Sequence, residues 1–378
     1  MAEIQGTFDE RFAGVRDVLS ANLDRGADVG ASVCVVHDGR TVADIWGGTI
    51  DDAGTPWAQD TIINVWSTTK TMTALTALLL ADRGELDFHQ RVAHYWPEFA
   101  ANGKEHIEVR HLMAHTAGLS GWDEPMTEAD VCDWEKATSL LAAQAPWWEP
   151  GTASGYHALS QGYLVGEVIR RVTGRTVGTF FREELAEPLG ADFHIGTPAS
   201  CDDRVAKLVP PPKRQIPFDG DPGDIAYRIW GNPSAGAETS ATEGWRRAEI
   251  PAANGHGNAR SVARVQAIVS HGGELDGVRF LSPNTIERIF EVQMEGQRDL
   301  GVGYPLTFGI GYGLITKALP VAPIDRGCFW AGMGGSIVVN DLDRRITVAY
   351  VMNKMATTGA GDARGARMAY AVYANLLG

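Results

Sequence analysis

The chain has 378 residues, 44% of them apolar, with 33 basic against 47 acidic side chains and a formal net charge of −14. That length exceeds one minimal domain and allows a sizeable core, while the acidic excess repels nucleic acid and anionic membrane, so neither is an expected partner. Four scattered cysteines (Cys34, Cys132, Cys201 and Cys328) lack C-x-x-C pairing and point to reduced thiols. Residues 1–6 lack a basic start and an apolar run, and no apolar stretch reaches membrane-spanning length, so a cytoplasmic location is expected.

In chain order, Phe8, Phe12, Val15, Val18, Leu19 and Leu23 recur at helical spacing and predict an amphipathic helix ending near Gly26. Apolar runs at 31–37 and 41–46 flank Asp38-Gly39, a hairpin signal. Met72, Leu75, Leu78 and Leu79 continue helical spacing until Gly84. From about 86 to 256 the chain carries helical patterns at 135–143, 158–172 and 176–189. Its prolines 210–212 open an irregular stretch reaching about Gly244. Further on, β-branched runs at 336–340 and 346–352 flank a polar turn, a second hairpin, and residues 362–377 predict a closing helix. Strands near both ends, each beside a terminal helix, predict an α+β fold. An antiparallel sheet would be built from both chain ends and covered by helices, with a mostly helical region inserted. Residues 1–85 and 257–378 form the expected sheet region and 86–256 the helical one, with the active site in the cleft between them.

The chemistry concentrates at Ser67-Thr68-Thr69-Lys70. A hydroxyl and an amine three residues apart share one helix face, which puts a nucleophile beside a base. Ser67 would sit at a helix N-terminus, where free N–H groups favour a developing negative charge. Such a pair needs a third polar group to pass protons and donors to hold an oxyanion. Tyr156, after the turn signature Trp147-Trp148-Glu149-Pro150-Gly151, is the candidate for the first. Trp330-Ala331-Gly332-Met333-Gly334-Gly335-Ser336, a glycine-rich strand entry, allows close approach to a substrate. No G-x-S-x-G or H-E-x-x-H occurs, so an α/β-hydrolase elbow and catalytic zinc have no support. His111 and His115 stand four residues apart, but a structural role is the expected one, and neither metal nor cofactor is implied.

These motifs, in this order, resemble the serine β-lactamase and penicillin-binding-protein superfamily, specifically its class C-like branch. Ser67-x-x-Lys70 matches the nucleophile motif, Tyr156-His157-Ala158 the Y-x-N position, and Trp330-Ala331-Gly332 the K-T-G position. The block 111–119 and Asn254-Gly255-His256-Gly257 look like further segments of this branch. Two departures matter: Ala158 replaces asparagine and Trp330 replaces the cationic residue, and neither can pair a carboxylate. Tryptophan there is similar to the W-x-G of family VIII carboxylesterases.

The resemblance implies a serine carboxylesterase that hydrolyses short-chain esters of small molecules through an acyl-enzyme, with Ser67, Lys70 and Tyr156 catalytic. Backbone N–H groups of Ser67 and Met333 are the implied oxyanion hole. Trp330, Ala331, Gly332, Trp66, Trp122 and His157 are the expected substrate contacts. Which of Lys70 and Tyr156 is the formal base stays open, as does the oligomeric state. The alternatives are a β-lactamase or D-amino-acid-specific peptidase, an acyltransferase, or a non-catalytic scaffold of the same fold.

Overall fold

The computed structural model describes residues 2–211, 221, 223–357, 362–374 and 376. Seven strands make one antiparallel sheet: β1 (Ile4–Phe8), β2 (Gly30–His37), β3 (Arg40–Gly48), β4 (Gly313–Leu314), β5 (Gly327–Ala331), β6 (Ile337–Asp341) and β7 (Ile346–Met352), in the order β1-β3-β2-β7-β6-β5-β4. The pairing of β2 with β7, with Val35 opposite Val348 and Ala31 opposite Met352, joins the two ends of the chain. Both expected hairpins form. In the first, Asp38 (φ 49°) and Gly39 (φ 75°) both take left-handed backbone, the geometry that matches strand twist in a two-residue turn.

Alternation along the strands divides the core. Ala31, Val33 and Val35 of β2 and Ile346, Val348 and Tyr350 of β7 face α1 (Ala13–Asp24), contributing Val15 and Leu19, and the C-terminal helix 363–373, contributing Met368 and Val372. Their neighbours Cys34, Val36, Ala349 and Val351 join the larger core on the other face, with Val262 and Val265 of the helix 259–270. That larger core runs on into the central part of the chain through Leu112, Val168 and Phe193, and its axis is α2 (Thr69–Asp82). Every residue of α2 from Thr69 to Leu80 is buried, the behaviour of a helix apolar on all sides. Its threonine hydroxyls are satisfied at once: Thr71 and Thr76 donate to Thr68 and Met72 carbonyls, and Thr73 donates to Pro251 O at 2.6 Å.

Two expectations change. Phe8 belongs to an edge strand and the helix begins only at Ala13, because 4–8 pairs residue by residue with β3, from Ile4 opposite Gly47 to Phe8 opposite Ala43. The stretch expected to be irregular contains short helices at Ile225–Gly231, Ala237–Ser240 and Glu243–Arg247, while 212–220 and 222 lie outside the described residues. The end of the closing helix at 377 also lies outside them; the described helix is Ala363–Tyr373, capped by Asp362. Among the described residues no helix is long and apolar enough to cross a membrane.

One ionic cluster ties the termini together. Arg364 donates to Asp28 Oδ1 (2.7 Å), to the Ala27 and Lys354 carbonyls and to Gly334 O (2.6 Å), and Tyr350 adds a hydroxyl to Asp28 at 2.7 Å. Burial pushes the Asp28 carboxyl upward, against the pull of Arg364. Removing one member strands the other charges without water. Arg364→Leu should therefore cost about 3–5 kcal/mol, read as a lowered urea midpoint, and a loss under about 1 kcal/mol, the size of an exposed pair, would mean the cluster is dispensable.

Candidate active site

Ser67 lies in a single 3₁₀ turn, Trp66–Thr68, that leads into α2, so the expected helix-start placement holds. The residue before it, Trp66, takes φ 47°, a conformation a bulky side chain adopts only when its surroundings enforce it. That enforcement comes from three sides. Val65 N–H donates to Gly255 O (2.9 Å), Thr69 Oγ1 donates to Trp66 O and accepts Gly255 N–H (2.9 Å), and Ser336 Oγ donates to Val65 O (2.8 Å). Gly332 packs so close that a Cβ there would lie 2.3 Å from Val65 O, and one at Gly255 would lie 2.6 Å from Thr69 Oγ1. The glycines of both sequence blocks thus serve close backbone approach to the nucleophile turn.

Lys70 is only 2% exposed and, among the described residues, has no carboxylate partner. Its Nζ sits 3.2 Å from Ser67 Oγ, donates to Ala158 O (2.8 Å) and Ala252 O (3.0 Å), and lies 4.7 Å from the centre of the Tyr156 ring. Desolvation holds its pKa well below the ordinary lysine value. A neutral amine has two N–H donors and one lone pair, and the two carbonyls and the Ser67 hydroxyl match that set.

Tyr156 is buried, and desolvation drives its phenol upward while polar contact with Ser67 and Trp330 pulls the other way. Among the described residues neither the Tyr156 hydroxyl nor Trp330 Nε1 closes a hydrogen bond. Behind the phenol stands an aromatic layer: His115 stacks on Trp330 (5.7 Å, 20°), with Tyr156 at 5.5 Å and Phe308 at 5.7 Å from the same indole. Backbone N–H groups of Ser67 and Met333 take no partner among the described residues.

Beside Ser67 opens a partly enclosed cavity. Among the described residues Trp66, Ala158 and Met333 line it, joined by Ile229, Trp230 and Ala253, and none of these lining side chains is charged. The other expected contacts are not among its described lining residues. Trp330, Ala331 and Gly332 do not line it: the indole is committed to the aromatic layer, Ala331 to pairing with Ile337, and Gly332 to the nucleophile turn. Trp122 is a core residue whose Nε1 donates to Ala137 O and whose ring packs on Tyr163. His157 is buried, with Nδ1 against Gly155 O (2.6 Å) and Nε2 accepting Leu119 N–H (3.3 Å); burial lowers its pKa to about 3.

His111 and His115 do not converge as ligands. His111 Nδ1 accepts Glu108 N–H in a helix cap, and His115 Nδ1 accepts His157 N–H. Among the described residues no three His, Cys, Asp or Glu side chains could hold a metal ion. Sequence reading missed the segment 225–235, which carries Ile229 and Trp230, and it missed Asp299. This buried carboxylate accepts the backbone N–H of Tyr156 at 3.0 Å from 143 residues away.

The esterase/β-lactamase LipL of Mycobacterium tuberculosis (strain ATCC 25618 / H37Rv) is 37% identical over 361 residues, covering 93% of this chain and 83% of its own. A crystal structure of a family VIII carboxylesterase superposes with a TM-score of 0.93 at 40% identity, over 99% of this chain and all of that one. A penicillin-binding protein homologue from Caulobacter crescentus gives 0.92 at 38%, over 99% and 100%. The family described as Beta-lactamase matches residues 15–373, nearly the whole chain. With that extent of match and a serine–lysine pair at the expected place, the chain belongs to the β-lactamase family.

Proposed function

We propose that this chain is a serine carboxylesterase of the family VIII type, acting on small, uncharged, short-chain esters in the cleft between the sheet region (1–85 with 257–378) and the helical region (86–256). The observation that carries the reading is the buried Lys70 amine, 3.2 Å from Ser67 Oγ and held by two carbonyls in place of any anion. In its neutral form it accepts the Ser67 proton as the oxygen attacks the ester carbonyl. Tyr156 passes that proton to the departing alcohol and then serves the water that releases the acid. The free N–H groups of Ser67 and Met333 stabilise the tetrahedral oxyanion. Relatives named as esterase/β-lactamase and carboxylesterase support hydrolysis of esters.

The cavity favours an ester over a lactam. Among the described residues its lining offers no cation for a carboxylate, and an unpaired carboxylate buried against indole and alkyl groups is strongly disfavoured, whereas an uncharged ester meets no such cost. A site lacking the polar partner of a substrate commonly discriminates by roughly 10² or more. Measured kcat/KM for p-nitrophenyl butyrate should therefore exceed that for nitrocefin by at least this factor; comparable values would establish the β-lactamase reading instead.

Ser67→Ala should abolish ester hydrolysis and labelling by a fluorophosphonate while circular dichroism stays unchanged. Activity within tenfold of wild type would move the nucleophile elsewhere. Lys70 acts as base only when neutral, so kcat/KM should fall as pH drops through its pKa, and this limb should lie well below the ordinary lysine range. Lys70→Arg, charged at all accessible pH, should lose several orders of magnitude at every pH. An arginine variant that regains activity toward alkaline pH would remove Lys70 as the base.

A further inference from the structure

Asp299 lies on a loop outside every sequence motif and is 1% exposed. Its Oδ1 accepts three backbone N–H groups: Tyr156 at 3.0 Å, Gly301 at 2.8 Å and Val302 at 3.0 Å. Oδ2 is buried without a partner among the described residues. The next residue closes a second link to the same strand of chain, Leu300 N–H donating to Ser154 O at 2.8 Å. Gly301 then lies against Tyr156 itself, since a Cβ there would come within 2.9 Å of Tyr156 N and 3.0 Å of its Cβ. The same turn holds the cavity wall: Trp230 Nε1 donates to Gly301 O at 2.9 Å, and its ring stands 5.8 Å from that of Tyr156. A buried carboxylate on three N–H groups is a rigid fixture, because breaking any one leaves charge and donor uncompensated in a dry interior.

We propose that Asp299 is a positioning residue, which clamps the backbone of Tyr156 so that its phenol meets the leaving oxygen of the ester. The proposal rests on the reading of Tyr156 as the group that protonates the departing alcohol. In that step the acyl C–O bond breaks, the electron pair leaves with the alkoxide oxygen, and the phenol proton moves onto it. The phenolate is refilled from the Lys70 ammonium that carries the Ser67 proton. A p-nitrophenolate leaves without needing a proton, whereas an alkoxide does not. Displacing Tyr156 therefore penalises alkyl esters selectively, and simple loss of folded protein lowers both substrates alike.

The experiment compares kcat/KM, which reports acylation, for ethyl butyrate and p-nitrophenyl butyrate in the intact chain. In Asp299→Ala the ethyl-to-p-nitrophenyl ratio should fall about 30-fold or more, and Asp299→Asn, which keeps the Oδ1 acceptor, should restore it to within about threefold of wild type. Should the alanine variant not fold, Gly301→Ala, which pushes the same clamp off Tyr156, reads the same ratio and should lower it. Tyr156→Phe provides the reference. If it leaves the ratio unchanged, the role of Tyr156 as leaving-group acid fails. If it lowers the ratio while Asp299→Ala and Gly301→Ala do not, or if Asp299→Asn fails to restore it, the clamp is overturned.

Discussion

Three segments distant in sequence must meet around one amine. Lys70 is brought by α2, the Ala158 carbonyl by the loop that also presents Tyr156, and the Ala252 carbonyl by the turn after Pro251. An ammonium ion in this position would lack a counter-charge, while a neutral amine finds an acceptor for each N–H and a hydroxyl for its lone pair. Little else about the architecture is free once that is required. The first turn of α2 must be buried on all sides, and the surrounding core must be continuous from the sheet into the central helices, as it is.

The nucleophile turn shows how such a point is held against its own strain. Trp66 in the left-handed region is unfavourable by itself, and it persists because Gly255, Thr69 and Ser336 lock the backbone on both sides of it. The strand edge that carries Ser336 is fixed in turn by Arg364, which grips Gly334 O and is anchored to Asp28 near the other end of the chain. A sheet assembled from both termini therefore reaches the proposed catalytic serine through hydrogen bonds a few residues long.

Replacing a cationic residue by Trp330 changes more than one side chain. The indole stacks on His115 and packs against Phe308 in a layer behind Tyr156, and the described side chains lining the cavity in front carry no charge. His115 and His157 are held neutral by the same burial, so the surroundings of the phenol hold no histidine cation.

Residue type and short spacing determined a good deal. The serine–lysine interval, the helical run that follows, the Asp38-Gly39 turn and the alternating strands at both ends are local patterns, legible because helix and strand periods act over a few residues. The tyrosine and the glycine-rich strand entry became legible through their order along the chain. Tertiary structure decided what depends on distant pairing. The strand at 4–8 forms because β3 offers an edge, and its own polar, glycine-containing sequence carries no alternation to announce it. Trp122 stands beside a motif position and Trp330 within one, yet their rings pack on Tyr163 and His115 and neither is among the residues lining the cavity. The acceptors on Lys70 are backbone carbonyls, which leave no signature in residue type. Asp299 reaches Tyr156 across 143 residues, and only the folded chain brings that carboxylate and that N–H together.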